Sequence, residues 1–294
     1  MIALSNDPVL RQAEAACRQL AKQHYENFLV GSLFLPRRVR QDFFNVYAYC
    51  RRADDLADQS ESPELALQRL AEWRRGLLQS VAAELDPATL PHPIFVALAA
   101  TIRRHALPTQ PFLDLLDAFE QDQTTPRYET FEQLRDYCRR SANPVGRIVL
   151  RLAGVDDPEL DRLSDAICTG LQLANFWQDI QRDLQIGRIY LPAEDCLRFE
   201  VQPSDLQATT ATPAVKQLIR FQVDRAESFF HRGLPLAEQV PGWLSRDVRL
   251  FAHGGLQTLA AIRRVDYDVL RRRPTVSRWQ QAKLLLRASI GRLT

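Results

Sequence analysis

Apolar and polar residues recur along most of the chain with helical spacing, and period-two alternation is nearly absent. Proline and small polar residues interrupt the pattern at 85–93, 107–111, 187–192, 201–213 and 240–242. These interruptions are short, and none has the length or composition of an interdomain linker. The pattern therefore predicts an all-α protein of about ten helices in one bundle-like domain spanning residues 1–294. Only 11 glycines occur in 294 residues, which also disfavours a strand-and-turn fold.

Two of the predicted helices are chemically unusual. In RQDFFNVYAYCRRADDLAD, Tyr47, Arg51, Asp54 and Asp58 follow one another at intervals of four, three and four, which stacks them on one helical face. Arg40 and Phe44 extend the stripe upstream, while Phe43, Val46, Ala48, Tyr49, Cys50 and Leu56 supply apolar surface around it. Asp55 falls about 100° from Asp54 and should point partly aside. In GLQLANFWQDIQRDL, Gln172, Asn175, Asp179 and Asp183 make a second ladder, flanked by Leu173, Ala174, Phe176, Trp177 and Ile180.

Carboxylates on helices this apolar need a cavity, a cation or each other. Two like charges about 6 Å apart repel by roughly 3 kcal/mol at an effective dielectric of about 20. If the two ladders lie on neighbouring helices facing a common space, their four carboxylates require divalent cations to stay ionised together. All-oxygen ligands select hard ions, and Mg²⁺ characteristically bridges carboxylates to phosphates while keeping some waters. The expectation is a magnesium–diphosphate site at one end of an apolar helical cavity. A single DDxxD on a helix is ordinarily a solvated face or an ion-pair network; two such ladders in apolar helices fit that description poorly.

Composition narrows the classes. A net charge of +2 gives no basic field for nucleic acid. The five cysteines, Cys17, Cys50, Cys138, Cys168 and Cys196, are odd in number and form no CxxC, as expected of reduced thiols in a cytoplasm. No apolar run approaches a transmembrane length, and the first residues do not read as a signal peptide. There is no HExxH, no zinc-type Cys/His spacing, no hydrolase triad motif and no GxGxxG. The C-terminal WQQAKLLLRASIGRL is amphipathic and basic; it reads either as a terminal helix packed on the bundle or as a peripheral contact with a membrane surface.

The segments HYENFLVGSLFLP, VYAYCRRADDLAD, YCRRSANPVGR and LQLANFWQDIQRDLQIGRIYLP together resemble the squalene/phytoene synthase family, from about His24 to the C-terminal YDVLRRRPTVS. The resemblance implies an isoprenoid-synthase bundle with a central cavity. It implies Mg²⁺ held by Asp54 and Asp58 and by Asp179 and Asp183, with Asn175 and Gln172 at the same mouth. Tyr47 and Arg51 match diphosphate-side positions, and Tyr137 and Tyr190 match cavity tyrosines. Many members carry a serine-containing HSxSF where this chain has His24-Tyr25-Glu26-Asn27-Phe28, and an arginine where it has Gln178. HYENF, SANPVGR and NFWQD look most like the bacterial hydroxysqualene synthase branch.

That branch implies a prenyl-diphosphate substrate, presqualene diphosphate, converted with water to hydroxysqualene and diphosphate. It also implies coupling to a presqualene diphosphate synthase and a hydroxysqualene reductase. Phe28, Phe44, Tyr47, Phe176 or Trp177 would offer aromatic faces to a carbocation; for Phe176 and Trp177 ordinary core packing is the alternative. Glu26 or Asn27 would position the water, or Glu26 would cap a helix or pair with an arginine. Two other readings are head-to-head condensation of two prenyl diphosphates and a non-catalytic scaffold of the same family.

Overall fold

The structure, a computed structural model, describes residues 7–23, 35–82, 90–277, 279–280, 284 and 287. The HYENF segment, with Glu26, Asn27 and Phe28, lies outside the described residues, as does most of the C-terminal basic segment. The described residues form twelve α-helices: α1 (Pro8–Gln23), α2 (Arg37–Asp58), α3 (Pro63–Val81), α4 (Pro93–His105), α5 (Gln110–Asp122), α6 (Phe131–Ser141), α7 (Asn143–Leu152), α8 (Pro158–Gln185), α9 (Ala193–Arg198), α10 (Pro203–Leu206), α11 (Pro213–Gly233) and α12 (Gly242–Arg264). A 3₁₀ turn, Leu234–Glu238, links the last two. The all-α expectation holds, with no β-strand among the described residues. The helices α9 and α10, six and four residues long, lie in and beside stretches that the sequence marks as breaks, because so few residues show no period. None of the described helices is long and apolar enough to cross a membrane.

Helix starts follow a recurrent device. Ser62, Asp157 and Thr212 each cap a helix whose first residue is proline, their side-chain oxygens accepting from Leu65, Glu159 and Val215 backbone N–H groups. Thr130 and Gln133 close a reciprocal capping box at the start of α6.

The chain divides into two compact units. One takes in the described residues up to Thr124 together with Arg147–Asp156; the other takes in Thr125–Gly146 and those from Asp157 onward, so the sequence of α7 is shared. In the first unit α2 packs among α1, α3, α4 and α5. Its fully buried Tyr49 stacks on Trp73 at 5.7 Å and meets Phe112 edge-on at 5.5 Å. Asp42, also fully buried, is held by Arg104, by His105 at 2.9 Å and by the Thr101 hydroxyl at 3.0 Å.

In the second unit α8 packs against α11, α12, α6 and the 3₁₀ turn. Phe230 of α11 fills a slot floored by two glycines: a Cβ on Gly170 of α8 would lie 3.2 Å from the ring and one on Gly255 of α12 only 2.2 Å from it. Residues 126–131 run beside 189–194, tied by Ile189 N–H to the Pro126 carbonyl at 2.7 Å, Ala193 N–H to the Tyr128 carbonyl at 2.9 Å and a parallel bridge between Arg127 and Ile189. This clip fixes the extended GRIYLP segment, which has no periodic signal of its own.

Candidate active site

The first ladder is the outward face of α2. Val46, Tyr49, Ala53 and Ala57, at intervals of three, four and four, are buried. On the neighbouring stripe, at intervals of four, three and four, Tyr47, Arg51 and Asp54 are partly exposed and Asp58 is in the open. Arg51 does not stand free: its Nη1 donates to Asp54 Oδ2 at 2.9 Å and its Nη2 to Asp55 Oδ1 at 2.5 Å. Asp55, expected to point partly aside, is drawn back by that guanidinium and also accepts from Gln59 Nε2 at 3.0 Å. Pairs of this spacing and exposure contribute about 0.3–0.5 kcal/mol each. They order the carboxylates at little energetic depth, so exchanging them for a bound ligand costs the fold little. Burial raises the Tyr47 phenol above its usual range; Arg51 opposes the shift while Asp54 and Asp55 add to it. At neutral pH Tyr47 is therefore a hydrogen-bond donor.

The second ladder lies on α8. Leu173, Ala174, Phe176, Trp177 and Ile180 are buried as expected, while Gln172 and Asp183 are half-buried and Asn175 is exposed. Asp179, with 18% of its side chain exposed, meets a cation that the sequence reading did not single out. Arg273, from the RRRP run after α12, closes on it with both ends of the guanidinium, Nε on Oδ1 and Nη2 on Oδ2, the latter at 3.1 Å. The sequence gives Arg273 no signal beyond membership of a basic run 94 residues away.

Behind this ladder the structure gathers an aromatic floor. Phe176 stacks on Tyr190 at 3.8 Å, and Tyr137 lies 5.9 Å from Tyr190 and 6.2 Å from Phe176. The two tyrosines expected to line a cavity are thus brought together with Phe176. Tyr128, missed by the sequence reading, completes the group by stacking on Tyr190 at 5.9 Å. Trp177, wholly buried, belongs to the core. A cavity of about 10 Å³ borders Phe176, Asp183, Arg188 and Tyr190, room for one water.

Among the described residues no group of three or more His, Cys, Asp or Glu is placed so that it could hold a metal ion by itself. Each ladder instead offers two carboxylates one turn apart on a helix face, and Arg51 and Arg273 stand against them in the place of cations. An all-oxygen donor set of this kind fits an ion that takes a few protein carboxylates and completes its shell with water and phosphate oxygens, as Mg²⁺ does.

The squalene/phytoene synthase family description matches residues 21–280, and the chain belongs to that family. It is 32% identical to a phytoene synthase of Arthrospira platensis, over 97% of each chain. Among solved structures it is similar to squalene synthase HpnC from Alicyclobacillus acidocaldarius, with 44% identity, a TM-score of 0.83, and coverage of 91% of this chain and 99% of the other. A dehydrosqualene synthase solved with a ligand superposes with a TM-score of 0.84 at 25% identity, covering 96% of this chain and 97% of the other. The fold is thus that of the isoprenoid synthases of this family.

Proposed function

We propose that the protein converts presqualene diphosphate and water to hydroxysqualene and diphosphate. The observation that carries the reading is the second ladder: carboxylates and a guanidinium on one side of α8 for a departing diphosphate, and the Phe176–Tyr190–Tyr137 floor behind it for the cation left behind. Asp54 and Asp58 on α2, and Asp179 and Asp183 on α8 with Asn175 and Gln172 on the same α8 stripe, would be the residues that hold metal. When bound, Mg²⁺ supplies neutralisation of the charge that develops on the leaving oxygens. Arg51 and Tyr47 orient the diphosphate by charge-assisted and phenolic hydrogen bonds. The aromatic faces stabilise the allylic and cyclopropylcarbinyl charge through their quadrupoles and keep bulk water from it. Asn27 and Phe28 are proposed to line the substrate space on the strength of the family resemblance.

The likeness to squalene synthase HpnC supports the squalene side of the family, on which this reading places the chain. The phytoene synthase relatives favour a second reading, head-to-head condensation of two prenyl diphosphates. One assay separates them. Given presqualene diphosphate and Mg²⁺ without NADPH, the protein should release diphosphate and form hydroxysqualene, labelled at its hydroxyl in H₂¹⁸O. Given farnesyl diphosphate alone it should be nearly inactive; efficient condensation of farnesyl or a longer diphosphate would establish the second reading instead. On the first reading an enzyme that makes presqualene diphosphate must supply the substrate, and a reductase must consume the alcohol.

A further inference from the structure

Gln178 immediately precedes the ladder carboxylate Asp179. It is buried, and it uses both ends of its amide. Its Oε1 accepts from Arg273 Nη2 at 3.0 Å, and its Nε2 donates to the Pro274 carbonyl at 2.6 Å. One neutral side chain thus grips two consecutive residues of the segment that follows α12. The result is the bidentate seating of Arg273 on Asp179. A cation at 178 could still donate to the Pro274 carbonyl but could not accept from Arg273. An arginine there would lose the acceptor and set a second positive charge against Arg273, a repulsion of about 4 kcal/mol at 4 Å and an effective dielectric of about 20.

We infer that Gln178 is a positioning residue that delivers the guanidinium of Arg273 to Asp179, so that in this chain the cation beside the second ladder comes from the C-terminal segment and must be displaced before a metal takes that carboxylate. The positioning stands on the hydrogen-bond geometry alone; the consequence for metal rests on the function proposed above. Arg273 is half-exposed, so its hold on Asp179 is shallow enough to exchange and strong enough to compete. Gln178 sets the strength of that competition without touching the ion.

Two measurements on the full chain test this. In the ligand-free protein, the Nε–H resonance of Arg273, assigned by its loss in Arg273→Lys, should show the shift and slow exchange of a hydrogen-bonded guanidinium. In Gln178→Met, which keeps side-chain length and loses both amide contacts, it should move to the free-arginine position. An unchanged resonance overturns the positioning role. The second measurement is Mn²⁺ binding by electron paramagnetic resonance, without diphosphate. Gln178→Met and Arg273→Ala should each tighten the Asp179-dependent site by about fivefold, the equivalent of removing one partly exposed ion pair. The double variant should gain no more than either single. Additive effects, or no effect in Arg273→Ala (a solvent-side change that spares the core), would overturn the inference. If no variant shows an Asp179-dependent ion, the metal reading fails, and the resonance of Arg273 still decides the positioning.

Discussion

Replacing Gly255 by alanine puts the packing of the second unit to a direct test. Alanine is favoured over glycine inside a helix by about 1 kcal/mol, so the substitution begins with a gain. Against it, the new Cβ would lie 2.2 Å from Phe230 Cζ and 2.7 Å from Cε1. The ring cannot retreat toward α8, because a Cβ built on Gly170 would already lie 3.2 Å from three of its atoms, so that side is closely packed as well. Overpacking a core costs about 1–3 kcal/mol and more where the neighbour is rigid, so the clash outweighs the propensity gain and the net loss is about 2 kcal/mol. For a unit of this size that lowers the thermal midpoint by about 4–8 °C. Gly254, one residue earlier, is the internal control: among the described residues its Cβ would find only Leu284, at 3.9 Å, so Gly254→Ala should raise the midpoint by about 2 °C. Thermal unfolding followed by circular dichroism reads both. Phe230→Leu in the Gly255→Ala background should recover part of the loss, since it removes the atoms that clash. If Gly255→Ala is as stable as the unmodified protein, the glycine-floored slot is not a packing determinant and the argument fails.

Buried Asp247 on α12 has no hydrogen-bond partner for Oδ1 among the described residues, and burial pushes its carboxyl up to about 8. Its folded-state pKa lies above the unfolded one, so its contribution to stability is intact below about pH 4 and drains away as pH rises through about 8. Asp247→Asn should therefore be increasingly more stable than the unmodified protein, the gap widening by about 3 kcal/mol from pH 5 to pH 8 in urea titrations; a pH-independent gap would contradict the burial account. Asp54→Ala, Asp58→Ala, Asp179→Ala and Asp183→Ala should each cut turnover by about a hundredfold or more while leaving the thermal midpoint within about 3 °C. Full activity in EDTA would remove the magnesium role. Arg51→Lys keeps the charge but loses the planar fork, so pyrophosphate affinity measured by calorimetry should fall about tenfold; unchanged affinity would leave Arg51 as an ion-pair partner of Asp54 and Asp55 alone.

Both carboxylate ladders and their flanking apolar faces were written in the sequence, because each depends on residues within a few turns of one another. The spacing of Tyr47, Arg51, Asp54 and Asp58 puts them on one face wherever α2 is a helix, and the spacing of Val46, Tyr49, Ala53 and Ala57 decides which face is buried. The same local logic holds for Leu173, Phe176, Trp177 and Ile180 behind the second ladder. Tertiary structure alone decided what those faces meet. It brought Arg273 onto Asp179 across 94 residues, and it turned Gln178 from a departure in a motif into a tether for Pro274. It stacked Tyr128 on Tyr190 through the pairing of 126–131 with 189–194, and it drew Asp55 back onto Arg51. Periodicity carries the direction of a side chain around its own helix axis, whereas the partner it finds depends on the path of chain segments far away in sequence, which no local spacing records.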